Sequence, residues 1–315
     1  HIIPMTRAIT PFADLRSLLK MYRFFKKEKP DIVHSHTPKG GLIAMMAARM
    51  AGVRIRVHTI AGLRFMTSTG LKRKLLVRME KLTASSATRV WPNSRSLKEY
   101  VLSNKLAKAS KVELIAEGSS NGIDLSKFNE TVIRPEKLEE IKGKINYESS
   151  FFYFLSVGRS VKDKGMEELA NAFAKLYADN DKLRLILLGD FEDELDPVKE
   201  ETRKLLMEHP GILRMGWSSE VPFYMHISNA LVHPSYREGF PNVLLQAGAM
   251  DCPVICSRIT GNIDIVDDGK TGLICEVRDE SSLREKMKFA IDNPEKIKEM
   301  SKTLKTKVYE KFDQR

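Results

Sequence analysis

The sequence predicts an α/β protein of two doubly wound domains, each a parallel sheet covered by helices. Three observations carry this. Strand-like and helix-like apolar segments alternate almost throughout the 315 residues, the βαβα order from which parallel sheets are built. The alternation lapses once, over residues 126–150, which are polar, contain Pro135 and lack an apolar rhythm. The length also suffices for two domains of ordinary size. The expected division is an N-terminal domain over 1–125, a connection over 126–150 and a C-terminal domain over 151–315.

Each element has its own signal. Leu15, Leu18, Leu19, Tyr22 and Phe25 recur at helical spacing over 12–29, and Pro30 stops the run. "DIVHSH" (31–36) reads as a strand, 40–52 as a helix ended by Gly52, and "RIRVHT" (54–59) as a strand. A helix over 70–86, a strand over 88–92, a helix over 94–104 and a strand over 111–116 complete the first half. In the second half, strands are expected over 151–158, 183–190, 212–217, 230–235, 253–257 and 272–277. Helices are expected over 165–178, up to about 208, over 219–228, from Pro241 to about 250, and over 280–312.

Composition narrows the class. With 42% hydrophobic and 30% charged residues the chain is globular rather than disordered. No stretch approaches the roughly 18 consecutive apolar residues of a membrane span, and the start has no signal-peptide pattern. The first residue is His1 rather than Met, which predicts that the natural N-terminus lies upstream. Cys252, Cys256 and Cys275 suit a reducing cytoplasm, and their spacing lacks the second pair a metal site needs. Residues 1–125 hold 23 Lys and Arg against 8 Asp and Glu, whereas residues 126–315 hold 29 against 33. Uneven surface charge explains this, as does a basic half that meets an anionic surface.

In doubly wound sheets ligands bind beyond the carboxyl ends of the strands, so residues just after strands carry the functional reading. "SVGRSVKDKG" (156–165) places Gly158, Arg159 and Lys164 where a strand hands over to a helix. A planar guanidinium fork and an ammonium point charge suit a diphosphate, and ordinary surface charge is the alternative. "YREGFPNVLLQAGAM" (236–250) sets Glu238, Gly239 and Phe240 before a helix opened by Pro241. The free amides of Asn242, Val243 and Leu244 form an anion site there. Glu238 beside such an anion suits sugar hydroxyls, because a carboxylate only accepts hydrogen bonds. Gln246 lies one turn beyond Asn242 on the same face. A helix-capping carboxylate and a buried amide are the alternative reading. Trp217, after strand 212–217, is read first as a core residue and second as a surface for stacking a base. In the first half, His34 is read as packed, while His36 and Lys39 are the better site candidates.

Taken together, "PDIVHSHTPKGG" (30–41), "SSNGID" (119–124), "SVGRSVKDKG" (156–165) and "PSYREGFPNVLLQAGAM" (234–250) resemble the retaining GT-B glycosyltransferases of family four, and most closely those of bacterial capsule and O-antigen synthesis. The resemblance implies two Rossmann-like domains facing a cleft, with a nucleotide-sugar donor, most commonly a UDP-sugar, on the C-terminal domain. Arg159 and Lys164 would hold its diphosphate. Glu238 would bond the donor sugar, with the amides near Phe240–Val243 helping, and Gln246 would take the ribose. Three departures stand out. The family's E-x7-E spacing reads Glu238 and Gln246 here. Ala61 replaces a histidine in the "TIAG" loop, so that one donor contact is either missing or supplied by another residue such as Arg64. The chain also begins after the family's first βαβ region.

The implied reaction is retaining transfer of a hexose-type sugar to a polyprenyl-diphosphate-linked or other saccharide acceptor. The departing phosphate acts as base, and no metal or other cofactor is required. Two expectations follow from the basic half: cytoplasmic, peripheral contact with the anionic inner face of the membrane, and no nucleic-acid partner, since no aromatic-basic strip is present. A nucleotide-sugar epimerase of the same fold and a catalytically silent nucleotide-sugar-binding protein are the competing readings.

Overall fold

The computed structural model describes residues 2–5, 10–119, 121–192, 194 and 196–314. They form two compact units. The first comprises His1–Ser120 together with Arg237–Phe240, and the second comprises Asn121–Tyr236 and Pro241–Arg315.

In the first unit three parallel strands, β1 (Ile32–Ser35), β2 (Ile55–Ile60) and β3 (Arg89–Pro92), pair in the order β1-β2-β3. Helices α1 (Pro11–Glu28), α2 (Pro38–Ala51), α3 (Gly70–Ser86) and α4 (Arg95–Ser103) connect and cover them. Prolines open α1 and α2, where a missing N–H costs nothing, and Gly52 ends α2 in the left-handed conformation at φ 80°. The core gathers Phe25, Val33, Met45, Ile60, Leu63, Val90, Leu97 and Val101.

The strand expected over 111–116 does not form. Val112 makes a single bridge with Val90, and the Glu113 N–H donates to the Val90 carbonyl at 3.0 Å. The next rung would need an N–H from Pro92, which has none.

The second unit is a six-stranded parallel sheet in the order β6-β5-β4-β7-β8-β9. Its strands are β4 (Phe152–Val157), β5 (Leu183–Leu188), β6 (Ile212–Gly216), β7 (Ala230–His233), β8 (Val254–Ser257) and β9 (Leu273–Cys275). β4 pairs with both β5 and β7. The chain therefore winds outward from β4 in one direction and from β7 in the other, so the topological switch point lies between these two strands. Helices α6 (Met166–Asp179), α7 (Glu200–Glu208), α8 (Val221–Ile227), α9 (Asn242–Ala249), α11 (Glu280–Asp292) and α12 (Pro294–Lys311) complete the unit, with a single turn, α10 (Asn262–Ile265), in the Gly/Asp-rich loop. Phe154, Leu169, Phe173, Leu185, Val232, Ile255 and Met287 lie at its centre.

Two expectations change here. The polar segment 126–150 lies within the second unit and carries its own helix, α5 (Pro135–Lys144), which buries Ile141. The single helix expected over 280–312 breaks at Asn293, where Pro294 restarts it as α12.

Candidate functional site

The best-organised strand ends are those of β4, β5 and β6. Each ends in a glycine with positive φ: Gly158 at 141°, Gly189 at 131° and Gly216 at 66°. The Gly158 N–H donates to the Leu188 carbonyl at 2.8 Å, and the Gly189 N–H to the Gly216 carbonyl at 2.7 Å. A Cβ on Gly189 would stand 2.0 Å from the Gly158 carbonyl oxygen. The result is a row of side-chain-free backbone along the strand ends, where a ligand can approach closely.

Arg159 and Lys164 rise from the turn that follows β4. That turn is held from the next strand end: the Ser160 N–H donates to the Asp190 carbonyl at 2.8 Å, and the Asp163 N–H to Asp196 Oδ2 at 2.7 Å. A 3-10 turn over Lys162–Lys164 leads into Gly165, left-handed at φ 69°, which starts α6. A Cβ on Gly165 would lie 2.2 Å from the Pro234 carbonyl oxygen, so only glycine lets this turn seat against the end of β7. Lys164 folds back over the strand end, with Cε 3.9 Å from the place of a Cβ on Gly158. Arg159 is more than half exposed and pairs with Glu192.

Acidic residues in the first turn of α6 would oppose an anion here, but both are engaged. Glu167 pairs with Lys199 at 2.7 Å, and Tyr236 Oη donates to the Glu168 carboxylate at 2.7 and 2.8 Å. The Arg278 guanidinium stacks on the Tyr236 ring at 4.6 Å. Burial, and then the Glu168 carboxylate, push the Tyr236 hydroxyl well above the usual tyrosine range, so it is a donor at every physiological pH.

β7 neighbours β4, so the segment after β7 emerges at the adjacent strand end. Pro241 is the N-cap of α9 rather than its first helical residue, and Leu244 N–H donates to the Pro241 carbonyl at 3.1 Å. α9 buries Leu244, Leu245, Ala247, Gly248 and Ala249. It packs so closely on α12 that a Cβ on Gly248 would stand 2.7 Å from Val308 Cγ2. Asn242 is exposed, and Val243 and Gln246 are half-buried. Gln246 therefore lies on the open face of a helix buried on its other sides. Trp217, expected first as a core residue, is 77% exposed directly after Gly216. It follows β6, an edge strand of the sheet, and its indole stays outside the core.

Glu238, Gly239 and Phe240 group with the first unit. A Cβ on Gly239 would lie 2.0 Å from the Ala61 carbonyl oxygen, so this loop packs backbone-to-backbone on the "TIAG" loop after β2. With its amide oriented as a donor, Asn93 reaches the carbonyls of Ile60 and Gly239, each at 3.3 Å. Arg237 Nε donates to Thr67 Oγ1 at 3.1 Å, and Phe240 is buried with Cε2 3.3 Å from the place of a Cβ on Gly118. Glu238 itself is half-buried, and Arg64 lies exposed on the 3-10 turn over Arg64–Thr67.

His36 is exposed after β1, its ring 4.0 Å from that of His34. His34 was expected to pack inward. It is exposed, with Nε2 2.8 Å from Thr59 Oγ1. The inward position on this strand belongs to Ser35, which meets the buried His58 Nδ1 at 2.8 Å. Lys39 pairs with Asp14 at 2.6 Å, which ties α2 to α1 and gives it a structural role.

The candidate cations stand out in the sequence, but the residues that order the surrounding loops do not. Tyr236, Asp196, Asn93 and Lys199 are ordinary polar residues whose partners lie far along the chain. Tyr236 alone carried a local signal, as the residue immediately before the Arg237–Glu238 pair.

Comparison with known proteins identifies the family. The description "Glycosyl transferases group 1" matches residues 138–307, and "Glycosyl transferase 4-like domain" matches residues 1–118. The chain belongs to the group 1 glycosyltransferases. It is 39% identical over 299 residues to the capsular polysaccharide biosynthesis glycosyltransferase CapM of Staphylococcus aureus, covering 95% of this chain and 77% of that protein. It is 29% identical over 313 residues to the UDP-Gal:alpha-D-GlcNAc-diphosphoundecaprenol alpha-1,3-galactosyltransferase of Escherichia coli, covering 98% and 78%. Among solved structures, Anabaena HepE in complex with UDP-glucose matches with a TM-score of 0.79 at 17% identity, covering 97% of this chain and 80% of that one. WaaG, a glycosyltransferase involved in lipopolysaccharide biosynthesis, matches with a TM-score of 0.73 at 15% identity, covering 98% and 81%. At these identities the structures speak to fold alone, and the fold is GT-B.

Proposed function

We propose that this glycosyltransferase moves a hexose-type sugar from a UDP-sugar to an undecaprenyl-diphosphate-linked saccharide, with retention at the anomeric carbon, during capsule or O-antigen synthesis. The observation that carries the reading is the pairing of Arg159 and Lys164 with the start of α9 at the two strand ends of the switch point. Breaking the sugar–phosphate bond builds negative charge on the departing diphosphate. Two cations and the free amides of a helix start stabilise that charge. Glu238 accepts hydrogen bonds from sugar hydroxyls, Gln246 bonds the ribose, and Trp217 stacks on the base. The amides of Asn242 and Val243 act on the phosphate, while Gly158, Gly239 and Pro241 keep backbone rather than side chain against the ligand. The departing phosphate oxygen takes the acceptor proton, so no protein nucleophile is needed. The charge is met by protein groups, and the reaction needs no metal ion.

The acceptor brings the enzyme to the cytoplasmic membrane face. Phe12, Leu15 and Leu19 of α1 are exposed at helical spacing, as are Leu71, Leu75 and Leu82 of α3. Both helices are rich in Lys and Arg, which suits peripheral contact with anionic lipid.

The test is incubation with UDP-galactose or UDP-glucose and a synthetic GlcNAc-diphosphoundecaprenol, with EDTA present. The expected product is an α-linked disaccharide lipid, seen by mass and by the anomeric proton coupling in NMR. A β-linkage refutes retention, and a requirement for divalent cation refutes the metal-independent reading.

A further inference from the structure

The first unit carries a second concentration of positive charge that sugar transfer does not use. Helices α2 and α3 lead into β2 and β3, so their C-terminal ends lie at the amino ends of the strands. That is the opposite edge of the sheet from the loops described above. A depression of about 580 Å³ opens there, against the C-terminal ends of α2 and α3 and the turn after α4. Five of its nine lining residues are basic, namely Arg49, Lys81, Lys105, Lys108 and Lys111, and none of the nine is acidic.

Helix C-termini attract cations because they expose carbonyl oxygens. Here that demand is met by two residues. Lys111 Nζ donates to the carbonyls of Ala84, Ser85 and Ala87 at 3.4, 3.1 and 2.6 Å, and Arg56 Nε donates to the Ser86 carbonyl at 2.6 Å. Arg49, Lys81, Lys105 and Lys108 are in excess of it, and among the described residues none of the four makes an ion pair. The concentration of like charge is felt locally. Burial, then Arg56, Lys108 and Arg49, hold the Lys111 ammonium below the usual lysine range. Lys105 moreover adopts the left-handed conformation at φ 50°, a strained setting for any residue but glycine. Four uncompensated cations around one concavity are unfavourable alone and favourable around a multiply charged anion. Ammonium groups on flexible stems suit phosphate oxygens.

We propose that this depression is a second anion site, specific for a phosphate-bearing ligand: either a soluble diphosphate or the phosphate headgroup of a membrane lipid. It stands independently of the donor assignment, which uses none of these residues.

The test is calorimetric titration of the full chain with inorganic pyrophosphate. The donor site is also expected to take a diphosphate, so all titrations use the Arg159→Ala/Lys164→Ala background. One saturable event is expected to remain. Adding Lys105→Ala/Lys108→Ala weakens it about tenfold or more, the loss of two charge-assisted contacts. Adding Lys302→Ala/Lys311→Ala, the same charge removed from exposed positions on α12, leaves it unchanged. Should the pocket pair disturb the fold, seen as a lowered melting temperature, Arg49→Ala/Lys81→Ala replaces it. Absence of a saturable event, or equal weakening by the pocket and α12 pairs, overturns the proposal. Sedimentation with phosphatidylcholine vesicles containing phosphatidic acid then separates the sources. A headgroup ligand gives vesicle binding that pyrophosphate competes away and Lys105→Ala/Lys108→Ala abolishes. A soluble ligand gives vesicle binding indifferent to both.

Discussion

Lys164 and Arg159 have different jobs, and single substitutions separate them. Lys164 lies against the strand end, its side chain folded over Gly158. Lys164→Ala is expected to lower kcat about 10²-fold, the scale of losing one group that meets charge in the transition state; steady-state kinetics with saturating donor checks this. Arg159 is exposed and already has a carboxylate partner in Glu192, so a diphosphate bound as proposed would have to compete with it. Glu192→Gln removes the competitor, and the donor KM is expected to fall about two- to fivefold at low salt, the modest worth of an exposed ion pair. An unchanged KM at low salt refutes the competition. The cations were legible in the sequence because charge after a strand is a local signal. Glu192 and Tyr236 were not, because their roles depend on partners 33 and 68 residues away.

At the scale of elements, the turn from β4 into α6 depends on one glycine. Gly165→Ala would press a methyl group into the Pro234 carbonyl and also demand φ 69° of an alanine. The expected cost is roughly 2 kcal/mol or more, read from urea unfolding. α1 offers a second test. Phe12→Ser with Leu15→Ser removes exposed apolar surface without touching the core. Binding to phosphatidylglycerol vesicles is expected to weaken, and what remains is expected to vanish in high salt. Elements with strong apolar rhythm were read correctly to within a few residues. The errors came where local pattern met tertiary chemistry. "KVELIA" has strand alternation, but its neighbour offers Pro92 in place of a donor. Residues 135–144 have a weak rhythm because one buried residue, Ile141, suffices to seat that helix.

At the scale of the whole molecule, stability should follow pH through imidazoles in both units whose charged form the fold disfavours. His34 is held below the usual histidine range by partial loss of its hydration, then by the neighbouring His36 and His58. Partial loss of hydration likewise lowers His209, and lowers His226 against the opposing pull of Glu130. A histidine kept neutral in the fold binds fewer protons than in the unfolded chain. Its contribution is therefore complete above the unfolded value of about 6.5 and lost as pH falls from there toward the folded value. The melting temperature is expected to drop as pH falls below about 6.5, and His34→Gln with His226→Gln to flatten that drop. The two-domain α/β architecture was legible from element order alone. The assignment of Arg237–Phe240 to the first unit was not, since nothing in four residues of sequence reports that their backbone packs on Ala61. The row of Gly158, Gly189 and Gly216 bears on any attempt to retarget the enzyme. No side chain fits at Gly189, and the other two hold backbone angles that side chains resist. A randomised library that spends diversity on these three codons mostly yields misfolded protein. In the donor site as proposed, the positions open to selection are the exposed ones, Trp217 and Asn242.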